Sequence, residues 1–186
     1  ITTDIGYEHV ERCRPFVEAG IPVFVDKPLT DNRKDLKIFN QWVKEGKPIM
    51  SSSCMRYTKE YMPYRISTAD LGALRLIVKP MAKTWERYGI HAMEAVYPIL
   101  GPGFISVRNT GTGSDNLVTV KHKTGVTVQI PQITDLYGAF GDLFIAGTVS
   151  SVHVRSNDTY YSFKKQLEAF AQYLRTGIRP FPYEQT

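Results

Sequence analysis

A lysine directly after a predicted strand is the first residue whose type and position could do chemistry. Residues 21–25 form a short apolar, β-branched run typical of a buried parallel strand, and Asp26, Lys27 and Pro28 follow it. Ligands of parallel sheets bind at the carboxyl ends of the strands. Pro28 restricts the backbone of Lys27, so the ammonium could stabilise charge on a reacting oxygen or donate a proton. A surface lysine on a tight turn is the alternative interpretation.

The second candidate is a histidine near the start of a predicted helix. Residues 85–100 have apolar side chains at helical spacing, and His91 and Glu94 share one side of that helix because they are three residues apart. A histidine within reach of a carboxylate can act as an acid–base pair near neutral pH. A partly buried histidine whose ring is satisfied by a neighbour is the alternative.

The other histidines and the two cysteines do not indicate a metal site. His9, His122 and His153 lack the spacing of a metal-binding pair, and no cluster of cysteine and histidine occurs in the sequence. Cys13 and Cys54 are interpreted as reduced structural thiols, since a disulfide framework is not typical of a chain of this size. The sequence therefore predicts no bound metal and no disulfide.

Alternating helices and strands must position Lys27. The pattern predicts a helix over 8–19, a strand over 21–25, a helix over 31–46 and a strand over 48–51. Thr30 or Asp31 is the expected cap of the second helix. This alternation is typical of the last part of a doubly wound, Rossmann-type α/β domain, which we assign to residues 1–53.

After residue 53 strands follow one another quickly. The predicted strands are 73–79, 104–109, 116–121, 126–130, 143–146 and 151–155. The predicted helices are 57–69, 85–100 and 158–175, the last with a buried row of Phe163, Leu167, Phe170 and Leu174. The fold class predicted for the chain is α+β. The Rossmann part is followed, over residues 54–186, by a predominantly antiparallel open-faced β-sheet with helices on one side.

Composition and charge exclude several classes of protein. Of 186 residues, 42% are hydrophobic and 22% are charged, the balance of a soluble globular protein. No window reaches the ~18 consecutive apolar residues of a membrane span, and the opening residues do not form a signal peptide, so a cytoplasmic protein is expected. The net charge of +5 is scattered rather than gathered in a basic stripe, so nucleic-acid binding is not predicted.

Several motifs, in this order, resemble one enzyme family. They are the helix that contains His9 with the AGIPVFVDKP that follows it, then MRYTKEY, DLGALRLI and YGIHAMEAVYPILG. They are similar to the glucose–fructose oxidoreductase/inositol dehydrogenase family, whose usual form of the first motif is Glu-Lys-Pro. The resemblance covers most of the chain and is strongest at 9–30 and 85–101, so the chain looks like the C-terminal portion of such a protein.

The resemblance implies an oxidoreductase that uses NAD or NADP to transfer hydride to or from a secondary alcohol of a sugar or polyol. It implies that Lys27 contacts substrate and the nicotinamide ribose, with Asp26 and Pro28 beside the cofactor, and that His91 is the acid–base residue. It also implies a small-molecule substrate and a homo-oligomer formed through the sheet. The candidate substrate-binding residues are Arg56, Arg87, Glu94 and Tyr137.

Departures from the family pattern affect these expectations. Asp26 replaces the usual Glu, and Glu94 stands where an Asp is usual. Arg87 occupies the position, four residues before His91, where family dehydrogenases often carry an acid. It could therefore bind an anionic substrate group instead of relaying a proton, or simply lie on the surface. A non-catalytic relative that senses a sugar or nucleotide is the alternative function.

A glycine fingerprint for a dinucleotide is not found in the sequence. No Gly-x-Gly-x-x-Gly occurs, and Gly111-Thr112-Gly113 lies between predicted strands with no helix after it. We expect the phosphate-binding half to precede residue 1, both ends to be truncated relative to the complete enzyme, and no tight cofactor binding by these residues.

Overall fold

The computed structural model describes residues 1–185 and contains two compact units. One comprises residues 1–53 with the chain from Lys164 onward, and the other comprises Cys54–Phe163. The functional domains assigned from the sequence, 1–53 and 54–186, stay a prediction, because spatial clustering groups residues without assigning their functions.

Helices and strands occur close to where the sequence predicts most of them. The helices are α1 (His9–Glu18), α2 (Arg33–Lys44), α3 (Met62–Ile66), α4 (Trp85–Leu100) and α5 (Thr159–Thr176). The strands are β1 (Val23–Val25), β2 (Ile49–Ser51), β3 (Leu74–Val78), β4 (Phe104–Asn109), β5 (Asn116–His122), β6 (Thr127–Gln132), β7 (Asp142–Gly147) and β8 (Ser151–Arg155).

The first unit contains the predicted alternation of helix and strand. β1 and β2 pair in parallel, and their buried side chains form one core with those of α1 and α2. Asn32 rather than Thr30 or Asp31 caps α2, because its side chain accepts a hydrogen bond from the Asp35 backbone N–H at 2.9 Å. The predicted cap is therefore wrong by one or two residues.

The second unit is a six-stranded sheet in the order β4-β5-β6-β3-β7-β8. All neighbours are antiparallel except β3 and β6, which are parallel. One row across the sheet, Val120, Val128, Ile77 and Ile145, is buried in a core shared with α4. The adjacent row, Thr119, Gln129, Val78 and Phe144, is only partly buried on the other face. This arrangement confirms the α+β class and the open-faced, predominantly antiparallel sheet.

The single helix predicted over 57–69 is wrong. Short 3₁₀ turns at Cys54–Tyr57, Lys59–Tyr61 and Ala69–Leu71 surround the five-residue α3 instead. Pro63 lies in the first turn of α3, where its missing N–H is tolerated, and Ser67 is extended and ends that helix. Tyr61 is buried and donates a hydrogen bond from its hydroxyl to the Gly141 carbonyl at 2.6 Å, which holds the interrupted segment on the core.

The buried row predicted for α5 is also wrong. Phe163, Leu167 and Leu174 are exposed, whereas Ser162, Gln166 and Tyr173 are buried. Gln166 Nε2 donates to the Ser52 carbonyl, and Ser162 Oγ donates to the Asp158 carbonyl at 3.2 Å. Polar side chains with such partners can be buried, and apolar periodicity does not reveal this.

Candidate functional site

Lys27 is held at the carboxyl end of β1. It is only 8% exposed, and its Nζ donates to Asp4 Oδ1 at 2.9 Å. Its backbone N–H donates to the Asp26 side chain at 2.8 Å, and the bond from Lys27 to Pro28 is cis. A largely buried ammonium in contact with a carboxylate is therefore fixed where parallel sheets bind ligands.

His9 braces the backbone around that lysine. Its ring is fully buried, with Nδ1 at 3.1 Å from the Leu29 carbonyl oxygen and Nε2 at 3.0 Å from the Thr3 carbonyl oxygen. These contacts tie together the segments that carry Asp4 and Lys27. The sequence does not predict this role of His9, because both of its partners are backbone atoms that a pattern of side chains does not reveal.

His91 lies on α4 between aromatic rings of the second unit. It is buried, and its ring centroid is 4.9 Å from that of Tyr88 and 5.2 Å from that of Phe140, both in edge-to-face geometry. Lys83 Nζ lies 4.3 Å from the centroid of the Tyr88 ring, and Lys83 has a positive φ of 62°. The imidazole is thus oriented by ring contacts on two sides, one local on α4 and one from the segment before β7.

Arg56 and Glu94 form an ion pair inside the second unit. Their side chains are only 3% and 2% exposed, and Arg56 Nε donates to the Glu94 carboxylate. Arg65 Nη1 donates to the Arg56 carbonyl, and its burial together with the nearby Arg56 charge lowers the pKa of Arg65. The structure therefore brings two predicted substrate-binding residues together with each other, and their role toward substrate stays a prediction.

The other two predicted substrate-binding residues lie on the surface of the second unit. Arg87 is exposed on α4, and Tyr137 is exposed in the 3₁₀ turn Tyr137–Ala139. Both side chains are accessible to a small molecule, and their assignment as substrate-binding also stays a prediction.

Lys79 is a functional candidate that the sequence analysis missed. Its side chain is completely buried, and Nζ donates to the Phe140 carbonyl at 2.5 Å and to the Pro80 carbonyl at 3.2 Å. Burial lowers the pKa of Lys79 from 10.5 to about 7, against the opposing effect of the Asp142 charge. A sequence signal for Lys79 was present. Lys79-Pro80 follows the end of β3, just as Lys27-Pro28 comes soon after the end of β1.

The described part of the chain contains neither a cluster of metal ligands nor a membrane-spanning helix. Within residues 1–185, no three or more His, Cys, Asp or Glu side chains are grouped so that they could hold a metal ion. No helix among these residues combines the length and apolarity that crossing a membrane requires. Cys13 and Cys54 are both buried, and burial raises the pKa of the Cys13 thiol to about 11.

Solved structures of dehydrogenases share this fold. Myo-inositol 2-dehydrogenase from Lactobacillus plantarum matches 100% of this chain and 72% of its own, with a TM-score of 0.80 and 13% identity. Scyllo-inositol dehydrogenase from Lactobacillus casei, whose structure contains NAD(H) and scyllo-inositol, matches 100% and 72%, with a TM-score of 0.77 and 12% identity. Myo-inositol dehydrogenase from Corynebacterium glutamicum matches 95% and 68%, with a TM-score of 0.75 and 15% identity.

Comparisons of the sequence itself gave no match, either among models of protein families or among curated proteins. At 12–15% identity, the structural likeness establishes the fold of the chain. Function must be argued from the residues of the site, since one fold can carry several activities.

Proposed function

We propose that this protein is an NAD(P)-dependent oxidoreductase that transfers hydride between nicotinamide and a secondary alcohol of a sugar- or polyol-like small molecule. The observation that carries the proposal is Lys27, a cation 8% exposed at the carboxyl end of a parallel strand, beside Asp26 and paired with Asp4. It lies in a fold shared with dehydrogenases whose structures contain NAD(H) with myo- or scyllo-inositol.

Lys27 suits the hydroxyl-rich end of such a cofactor and its substrate. The ammonium can donate to ribose and substrate hydroxyls and can stabilise negative charge that develops on an alcohol oxygen. Asp4 provides a carboxylate acceptor for the ammonium, and the Asp26 carboxylate accepts from the backbone N–H of Lys27. The nicotinamide ring, when bound, supplies the hydride acceptor, and no glycine-rich turn for its pyrophosphate occurs in the sequence.

His91 is proposed as the residue that takes the alcohol proton. Its edge-to-face contacts with Tyr88 and Phe140 hold the plane of the imidazole, and an imidazole is a suitable group to take up such a proton. Oxidation of an alcohol releases one proton and one hydride, so a base is required on the protein side. Exposed Arg87 and Tyr137 are proposed to contact the substrate.

Turnover on a panel of polyols tests the proposed activity. The natural gene product that contains these residues is incubated with myo-inositol, scyllo-inositol and common sugars, with NAD and with NADP, while nicotinamide absorbance is followed. We expect Lys27→Met and His91→Gln each to lower kcat/KM by about 100-fold or more, the usual size of an acid–base or charge-stabilising contribution. Lys34→Met, an exposed lysine on α2, is the matched control. Activity that survives both variants contradicts the assigned roles.

Calorimetry tests cofactor binding by the 186-residue chain alone. We expect no tight binding of NAD(H) or NADP(H), because a helix N-terminus behind a glycine turn normally holds the pyrophosphate and the sequence has no such fingerprint. Stoichiometric tight binding would show that another part of this chain holds the phosphates.

A non-catalytic sensor of sugars or nucleotides is the second candidate function. The exposed arginine Arg87 favours it, since it stands on α4 where an acid would complete the usual proton relay. The two candidates separate in one experiment. Saturable sugar or nucleotide binding, without turnover on any member of the panel, supports the sensor.

The open face of the sheet is proposed as a contact between copies of the chain. Its central row is only partly buried and includes the apolar side chains Val78 and Phe144. Sedimentation velocity at low concentration tests the assembly. A dimer or larger species that Phe144→Lys converts to monomer supports the proposal, and a wild-type monomer contradicts it.

A further inference from the structure

We propose that Lys79 is a positioning residue for His91 and acts through the Phe140 carbonyl, which places the Phe140 ring against the imidazole. The inference rests on the proposed function only in treating His91 as the acid–base residue. The contacts that carry it belong entirely to the second unit.

The position of Lys79 in the fold explains why its side chain reaches Phe140. Side chains alternate along a strand, so Lys79 points to the same face of the sheet as Ile77, the face covered by α4. Its backbone N–H continues the pairing with β6 by donating to the Gln129 carbonyl at 2.9 Å. The backbone of Lys79 is therefore fixed by the sheet, and the flexible side chain determines which acceptors the ammonium reaches.

The segment before β7 is held by side chains from three parts of the second unit. Arg155 Nη2 donates to the Gly138 carbonyl at 2.8 Å, and the Tyr61 hydroxyl donates to the Gly141 carbonyl at 2.6 Å. Lys79 adds the bond to the Phe140 carbonyl between them, and it comes from the core side. Of these donors, Lys79 is bonded to the residue whose ring touches His91.

The Phe140 ring transmits this restraint to the imidazole. Its centroid is 5.2 Å from that of His91 and 6.2 Å from that of Tyr88, and Lys79 Nζ lies 5.6 Å from the same ring. A shift of the Phe140 backbone would move this wall away from His91. Misplacement of a reacting group by about 1 Å can lower a rate about 100-fold.

Lys79 itself is not placed to contact substrate. Its side chain is completely buried, and Nζ donates to the carbonyl oxygens of Phe140 and Pro80. The charge that acts on it from β7 is Asp142, whose carboxylate also contacts His153 and Arg155 from β8. Lysine here supplies a long, flexible donor that reaches a carbonyl across the core.

NMR of the histidine rings in the 186-residue chain tests the proposal without any turnover. The ring protons of His91 lie beside two aromatic edges, so their signals should be displaced by ring currents and show nuclear Overhauser contacts to Phe140. We expect Lys79→Met to remove these contacts and displace the His91 signals, and Phe140→Leu to displace them as well. Lys79→Gln, which keeps an N–H donor, should restore the contacts to Phe140. Lys123→Met, at an exposed lysine of the same unit, is the matched control.

Each outcome of these NMR measurements supports or overturns the positioning role of Lys79. Unchanged His91 signals and Phe140 contacts in folded Lys79→Met overturn the positioning role, and so does the absence of contacts between the Phe140 and His91 rings in the wild-type chain, which needs no variant to fold. The double variant of Lys79→Met with Phe140→Leu gives a further test. If its displacement of the His91 NMR signals equals the sum of the displacements in the two single variants, the positioning role is also overturned. Because the readout is the imidazole environment, a failure of the proposed oxidoreductase activity would not alter it.

Where activity is found, a kinetic test follows in the natural gene product. Lys79→Met should lower kcat by about 100-fold while KM changes less, with partial recovery in Lys79→Gln. Equal loss of stability in the two variants without this kinetic split would indicate a structural role only.

Discussion

The two lysines that each follow a strand and precede a proline differ in the partners of their charge. Lys27, after β1, contacts the Asp4 carboxylate, whose side chain is 47% exposed. Lys79, after β3, donates to two carbonyl oxygens and is completely buried. Similar local sequence therefore gives one ammonium with a partly hydrated counter-ion and one that relies on neutral oxygens.

The contrast shows that the partner of a buried lysine decides what it can do. A carboxylate stabilises the charged ammonium, which suits a group that must meet negative charge on substrate. Burial lowers the pKa of Lys79 to about 7, since carbonyl dipoles compensate a buried charge less completely than a carboxylate does. The chain thus has a candidate reacting cation in the first unit and a candidate structural donor in the second.

Removing the buried charge of Lys79 should give the largest effect on the free energy of unfolding and on its dependence on pH. Its pKa is about 7 in the folded chain and 10.5 in the unfolded chain, so the unfolded chain binds more protons between these limits and wild-type stability rises with pH across the window. The free-energy cost of burying the charged ammonium is fully present below pH 7 and absent above pH 10.5. It amounts to on the order of 5 kcal/mol in the free energy of unfolding. Urea unfolding of wild type and Lys79→Met from pH 7 to 10 should show this rise only in the wild type. A difference that is independent of pH contradicts the prediction.

Arg56 is a third buried cation to compare with Lys27 and Lys79. Unlike them, it is paired with a carboxylate that is itself buried, that of Glu94. Arg56→Met leaves the Glu94 carboxylate without that partner in a site where its side chain is 2% exposed. We expect a loss of about 3–5 kcal/mol in the free energy of unfolding, measured by urea denaturation. Replacing both residues, as Arg56→Met with Glu94→Leu, should recover most of it. A double variant as unstable as the single one would contradict this account.

Lys27→Met should reduce stability much less than it reduces activity. Asp4 is half exposed and can be hydrated when its partner is lost, so the expected change is about 1 kcal/mol or less. Thermal unfolding of Lys27→Met, Asp4→Asn and the double variant measures the coupling between the two residues. A coupling well above this value would place Lys27 among the structural cations with Arg56.

The smallest effect should come from Asp142→Asn. The Asp142 charge raises the pKa of Lys79 against the effect of burial, so its removal should lower that pKa below about 7. The measurement is the pH at which wild-type and Lys79→Met stabilities diverge, repeated in the Asp142→Asn background. A shift to higher pH would contradict the assigned sign.

Much of the fold could be predicted from local patterns. Helices α1, α2 and α4 have clear apolar periodicity, and Gly20, Gly46 and Gly101 follow their ends with positive φ. The strands of the second unit alternate or carry turn residues between them, so the open-faced sheet was recognisable. The place of β3 between β6 and β7 could not be predicted, because pairing between distant segments leaves no local signal in the sequence.

The candidate site was only partly predictable for a related reason. Lys27 and His91 were identified from their flanking motifs, whereas the pairing of Arg56 with Glu94 depends on how distant segments pack. Lys79 was overlooked although β3 was predicted, since a lysine that ends a strand is normally exposed. The buried face of α5 was wrong for the same cause, as Gln166 finds its partner at Ser52.

The location of β3 has a consequence for how the chain is made. Its partner strands lie at residues 127–129 and 144–147, so LRLIV emerges long before anything can pair with it. An unpaired, largely apolar strand is a template for aggregation, and nearby charges oppose this as gatekeepers. Lys79 is charged at neutral pH in the unfolded chain, where water surrounds it, so we expect it to oppose association of the nascent strand. The residue that ends as a buried donor therefore begins as a solubilising charge during synthesis.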